Sequence, residues 1–154
     1  MDAVYITKLD SAFAATTGAK TVLKLVTPTT FHIKILDFSL SMDGVTASAV
    51  PATVDLFTSD ETTAGTGSGS AVTNQIAGAT IAHGLTVSQK HSAEGTTYTV
   101  LRSWYVPQFM GLLHTQNPLG VEESSPAGTA DSIGLRINVT ANVNVLASIK
   151  WCRA

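Results

Sequence analysis

The chain has 154 residues, of which 44% are apolar and only 13% are Asp, Glu, Lys or Arg, with a formal net charge of −2. That length suits one ordinary domain with a real hydrophobic core, and the scattered Lys and Arg form no basic run of the kind a nucleic-acid binder carries. Cys152 is the only cysteine, which excludes an internal disulfide, and no run approaches the roughly 18 apolar residues of a membrane helix.

The opening Met1-Asp2-Ala3-Val4-Tyr5 has neither a basic start nor a long apolar stretch, unlike a signal peptide, so folding in the cytoplasm is expected. Val4 to Leu9 and Ala12 to Thr16 read as short strands, and Gly18-Ala19-Lys20 as a turn. Thr21 to Val26 puts Leu23 and Leu25 on one face and Lys24 on the other. In Phe31 to Ser41, Phe31, Ile33 and Ile35 alternate with His32 and Lys34; the apolar phase then moves to Leu36, Phe38 and Leu40. A one-residue slip of phase flips every side chain, so a bulge or a bend between sheets is expected there. Asp43-Gly44 is a turn signal.

Ala52 to Thr58 reads as a strand with Val54 and Leu56 inward and Asp55 outward. Ser59 to Ser70 is a Gly/Thr/Ser loop, and Ala71 to Ala82 is weak strand or loop. Thr96 to Val106 is a strong β-run with Tyr98, Val100, Trp104 and Val106 on one face, interrupted by Arg102 and stopped by Pro107. Ile133 to Val139 and Val143 to Trp151 alternate cleanly, and the short Thr140-Ala141-Asn142 link between them reads as a β-hairpin. The final strand is too apolar for a loose tail and belongs in the middle of a sheet or at a subunit contact. About eight to ten short strands and no long helix give an all-β single domain, a β-sandwich or barrel.

No constellation points to catalysis. Gly65-Thr66-Gly67-Ser68-Gly69-Ser70 lacks the Lys and following helix of a phosphate loop and reads as a turn. No G-x-S-x-G elbow occurs, and Cys152 lies on the polar phase of the last strand as a bystander thiol. His32, His83, His91 and His114 have no metal-ligand spacing, and Asp60-Glu61, Glu122-Glu123 and Asp131 lie too far apart in sequence for a tight calcium loop. No cofactor and no metal are expected. Asn138-Val139-Thr140 matches a glycosylation sequon inside a strand, a chance match.

The low charge is more informative. Soluble domains carry roughly 25% charged residues, so either hydroxyl groups keep this chain soluble or much of its surface is covered. Thr62 to Gln89 and Ser103 to Val121 contain no Asp, Glu, Lys or Arg. The second stretch holds Trp104, Tyr105, Phe109, Met110, Leu112 and Leu113, the residue types that enrich interface centres. Broken by Pro and Gly, it either folds down as a plug over the core or lies at a contact with another chain.

Phe31-His32-Ile33-Lys34-Ile35 followed by Leu36 to Ser41, then Ala52 to Phe57, the Thr63 to Gly67 loop, Pro126-Ala127-Gly128 and Gly134 to Trp151 form an order of strands and turns. This order resembles the jelly-roll decoration, or cement, proteins of tailed-phage capsids. The resemblance spans most of residues 21 to 154. It implies a jelly roll that forms homotrimers, sits on the capsid exterior of the virion and bridges major capsid subunits. It also implies that residues 1–20 are an N-terminal arm or edge strands. The Trp151-Cys152-Arg153-Ala154 ending departs from the acidic ending of that group. A carbohydrate- or receptor-binding sandwich, using aromatics from Tyr98 to Phe109 as a platform, is the alternative.

Overall fold

The computed structural model describes residues 3–44, 50–60, 65–68, 71–125 and 131–154. Eleven strands lie in these residues: β1 (Val4–Lys8), β2 (Phe13–Ala15), β3 (Gly18–Thr27), β4 (Ile33–Gly44), β5 (Ala52–Asp60), β6 (Val72–Ala77), β7 (Thr86–Gln89), β8 (Thr99–Val106), β9 (Leu112–Gln116), β10 (Asp131–Val139) and β11 (Val143–Arg153). They form two antiparallel sheets. One runs β6-β1-β11-β4-β9, with β2 also on β11, and the other runs β7-β3-β10-β5-β8. The fold is an all-β sandwich. Four antiparallel pairs are nested in the chain: β5 with β8, β4 with β9, β3 with β10 and β1 with β11.

The core lies between the sheets and follows from period-two alternation. One sheet contributes Ile33, Ile35, Phe38, Leu40, Val145, Ile149 and Trp151, and the other Leu23, Leu25, Val54, Leu56, Ile133, Leu135 and Ile137. The phase slip in β4 is a bulge: Lys150 faces Asp37 and Trp151 faces Ile35, so Leu36 is the extra residue and both halves of the strand point inward.

Four local expectations need correction. The first concerns β10 and β11, which are not a hairpin. β10 pairs with β3 and β5, and β11 with β1, β2 and β4. The short link turns a corner between sheets, so the two apolar faces meet across the core instead of lying side by side. The second is Gly18-Ala19-Lys20, which opens β3 and pairs with Ile137 to Val139. The third is the charge-free segment after Gly111, which forms β9 on the edge of β4. The fourth is the N-terminal segment. β2 is a short outer strand, but β1 is hydrogen-bonded on both sides, to β11 and β6. Its Tyr5 ring stacks on Trp151 at 4.6 Å, and its Thr7 hydroxyl accepts from the Trp151 indole N–H at 2.9 Å. Residues 4–8 are therefore part of the sheet, not a free arm. The apolar alternation of β11 accounts for this, since a central strand needs neighbours on both edges. Asp43 and Gly44, read as a turn signal, are the last residues of β4 and face Asn144 and Val143 of β11; residues 45–49 lie outside the described residues.

Candidate interaction surface

The segment Trp104 to Leu113 crosses from the edge strand of one sheet, β8, to the edge strand of the other, β9. A second bulge sets its orientation. Leu56 faces Arg102 and Phe57 faces Val100, so Leu101 is the extra residue. Beyond that bulge Trp104 and Val106 point into the core, while Val100 shares the outer face with Phe57. The expectation that Tyr98 and Val100 share a face with Trp104 fails for this reason, and Arg102 was the visible sign of it. Arg102 makes an ion pair with Glu123, which follows β9 and lies beside Ile35 of β4. This pair links the two sheets along their shared flank.

The six residues singled out in the sequence divide into two groups. Trp104 and Leu113 pack against the core, Trp104 meeting Phe38 edge-on at 5.4 Å between ring centroids. They act as the plug. Tyr105, Phe109, Met110 and Leu112 stay in water, at 81%, 53%, 75% and 70% exposure. Tyr105 alternates with the inward Trp104 and Val106, and Leu112 precedes the inward Leu113. Tyr105 therefore projects from the outer face of one sheet and Leu112 from the outer face of the other, with Phe109 and Met110 on the connection between the two strands.

That connection is held firmly. The buried Gln108 side chain donates from Nε2 to the Val50 carbonyl and, at 2.8 Å, to the Thr140 hydroxyl. Its Oε1 accepts from the Thr140 and Ala141 N–H groups at 3.2 and 3.1 Å. Met42 N–H donates to the Gly111 carbonyl at 2.7 Å. Met110 sits at a positive φ of 57°, and a Cβ on Gly111 would fall 1.9 Å from the Pro107 carbonyl oxygen. Only glycine fits there.

Leu112 continues onto the outer face of its sheet. It faces Ser41, which in turn faces Leu146. In the next row Ser39 and Ser148 share a hydrogen bond of 2.9 Å. The break between β1 and β2 leaves a groove of about 390 Å³ beside β11, whose lining includes Leu9, Ser39, Ser41, Leu112, Leu146 and Ser148. The charges flanking this face include the Lys150–Asp37 ion pair.

Elsewhere several polar side chains are engaged with one another. On the outer face of the second sheet, Arg136 pairs with Asp55 at 3.1 Å and lies 4.5 Å over the Tyr98 ring. Tyr98 packs edge-on against Phe57 at 4.9 Å and donates its hydroxyl to Glu94 at 2.9 Å. Glu94 also accepts from the Thr21 backbone N–H and hydroxyl at 2.7 and 2.6 Å. Burial, followed by the Glu94 carboxylate, raises the Tyr98 pKa above the usual phenol value. This network straps residues 94–98 over the sheet. Sequence reasoning missed it because it placed Tyr98 inside.

The histidines are dispersed. His32 Nδ1 meets the Ser125 carbonyl at 3.0 Å, His83 Nδ1 accepts from Leu85 N–H at 3.1 Å, His91 is buried against the Ser88 hydroxyl at 2.7 Å, and His114 is exposed on β9. Asp60 and Asp131, distant in sequence, face each other across β5 and β10. Glu122 accepts from Gly120 N–H at 3.0 Å, a contact that lowers its pKa. Asp10 is likewise lowered, first by the hydrogen bond from Lys90. No group of three or more His, Cys, Asp or Glu that would hold a metal ion occurs among the described residues. Thr66 of the Gly/Thr/Ser loop bridges to Ala93, and Gly69 and Ser70 lie outside the described residues.

No family model, curated protein or solved structure matches the chain.

Proposed function

We propose that this chain is a virion structural protein, a capsid decoration protein that binds the outer surface of a phage head and stabilises it. The observation that carries the reading is the pinned ridge of Tyr105, Phe109, Met110 and Leu112. It offers rigid, exposed and uncharged apolar side chains, which is the composition of an interface centre. The nested strand pairs β1–β11, β3–β10, β4–β9 and β5–β8 supply further support, because a jelly roll, a scaffold used by capsid proteins, would pair its strands in such a nested way. The strand-and-turn order of the sequence resembles the decoration proteins of tailed phages. On this reading the chain assembles as a homotrimer, contacts the major capsid protein and uses no cofactor, nucleic acid or membrane. Attachment through several copies turns modest contacts into tight binding.

The test is co-sedimentation of the purified chain with empty heads of its phage. Saturable binding at a fixed ratio to the capsid subunit is expected. Recovery of the chain only in the supernatant, at concentrations well above micromolar, would overturn the reading.

A second reading, a carbohydrate- or receptor-binding module, draws on the exposure of Tyr105 and Phe109 on one flank. Its aromatic platform is smaller than the sequence suggested, since Tyr98 is engaged by Arg136 and Phe57, and Trp104 by Phe38. A glycan array with positive hits that are lost in Tyr105→Ala would favour it.

A further inference from the structure

We infer that the turn Pro118–Val121 is a preformed anchor, with Leu119 at its tip, that enters an apolar pocket of the shell protein to which the chain attaches. This rests on the reading of the chain as a capsid-bound protein and adds to it the contact that seats the chain.

The chain leaves a sheet edge to make this turn and then rejoins it. Before the turn, Asn117 N–H donates to the Leu36 carbonyl at 2.8 Å. After it, the Glu123 carbonyl accepts from Ile35 N–H at 2.9 Å, Ser124 bridges to Lys34, and Ser125 N–H donates to the Ile33 carbonyl at 3.1 Å. Both stretches therefore line the edge of β4, and residues 118–122 stand off it between them, beside the bulged Leu36.

The excursion is stiff. Proline fixes its own φ, and Val121 N–H closes on the Pro118 carbonyl at 3.3 Å. Gly120 takes a positive φ of 91°, which a tight turn often asks of its third residue, and its N–H donates to the Glu122 carboxylate at 3.0 Å. At the base, the buried Asn117 side chain donates to the Ile35 carbonyl at 2.8 Å. Leu119 is thus held out in one place, with little ordering entropy left to lose on contact.

Leu119 is 90% exposed, more than any other large apolar side chain among the described residues, and Val121 is 68% exposed. A convex apolar tip is buried by a concave apolar surface. The charges at its base are answered within the chain, since Arg102 pairs with Glu123 and the Lys34 charge acts on Glu122. An apolar pocket therefore matches the tip, and a charged one would lose solvation without gaining a counter-charge. Pro118, Leu119, Gly120 and Val121 offer no aromatic face to a glycan and no cation to a nucleic acid, which leaves a protein as the partner. The turn and the Phe109–Met110 connection stand at opposite ends of β9, a strand of five residues that spans about 17 Å. Two contacts so separated fix the orientation of the chain on a surface, as one contact would not.

The experiment is titrated co-sedimentation of the full chain with empty heads of its phage, comparing wild type, Leu119→Ser and Leu119→Met. Circular dichroism melting shows that each variant is folded. Leu119→Ser is expected to weaken binding at least about tenfold, the factor that corresponds to burying a leucine side chain, while Leu119→Met stays close to wild type. Wild-type binding by Leu119→Ser would overturn this inference and leave the capsid reading standing. A loss in Leu119→Met as large as in Leu119→Ser would also overturn it, because apolar burial would then not be what counts. A wild-type chain that ignores heads overturns both readings. Light scattering closes the remaining route: a fall in the solution mass of Leu119→Ser would put a second copy of the chain in place of the shell pocket and overturn the inference.

Discussion

At the scale of single residues, the two most informative side chains are Tyr98 and Gly111. Tyr98 donates to Glu94, accepts from the Gly95 N–H at 2.9 Å and packs on Phe57. Tyr98→Phe keeps the ring and loses the hydroxyl contacts, so a loss of about 1–2 kcal/mol in unfolding free energy is expected from denaturant titration. The pH dependence follows from the raised pKa. The folded chain holds the phenol proton more tightly than the unfolded chain does. The associated stability is complete below the unfolded value of about 10 and is lost as pH rises through the folded value. A melting-temperature series through this alkaline range is expected to fall more steeply for wild type than for Tyr98→Phe. Gly111→Ala forces a methyl group against the Pro107 carbonyl oxygen. The expected cost is about 2 kcal/mol or more, read by chemical denaturation.

At the scale of elements, Gln108 shows how the corner is built. It joins the β8–β9 connection to the Thr140-Ala141-Asn142 link and to the start of β5. Gln108→Ala removes four hydrogen bonds at a buried position, with an expected loss of about 3 kcal/mol. It should also weaken attachment to heads at unchanged surface composition, which co-sedimentation of the folded fraction would detect. Most strands were legible in the sequence because one buried face leaves a period of two; β4, β5, β10 and β11 carry it plainly, and the slip at Leu36 announced its own bulge. β7 and β9 were not legible, since as short edge strands they bury little and their alternation is weak. The pairing of β10 and β11 was not legible either. Alternation fixes which face is inward, but a short link serves a hairpin and a corner between sheets equally well. Of the candidate site, the residue types were legible and their directions were not. The Leu101 bulge turns Tyr98 and Val100 away from the face that Trp104 and Val106 share, and only the register reveals it.

At the scale of the whole molecule, the sandwich combines a well-paired interior with an uncharged outer corner. Trp151 illustrates the first property. Its ring is fully buried between the sheets, stacks on Tyr5 and donates to Thr7, so it holds β11 to β1. Trp151→Ala is expected to destabilise the fold by about 3–5 kcal/mol, measured by urea denaturation. Truncation before Thr7 removes Tyr5, one of the two β1 partners of Trp151, so the strand residues before Thr7 are expected to be needed for full stability. The exposed corner behaves oppositely. Substitutions at Tyr105 or Phe109 should change the stability of the isolated chain by less than about 0.5 kcal/mol, while assembly responds strongly.

The measurement that bears most directly on the proposed function is a cryo-EM difference map of phage heads with and without this chain. The expected result is sandwich-shaped density at symmetric positions on the outer shell. Heads identical in the two maps, or density for the chain confined to the tail, would contradict it.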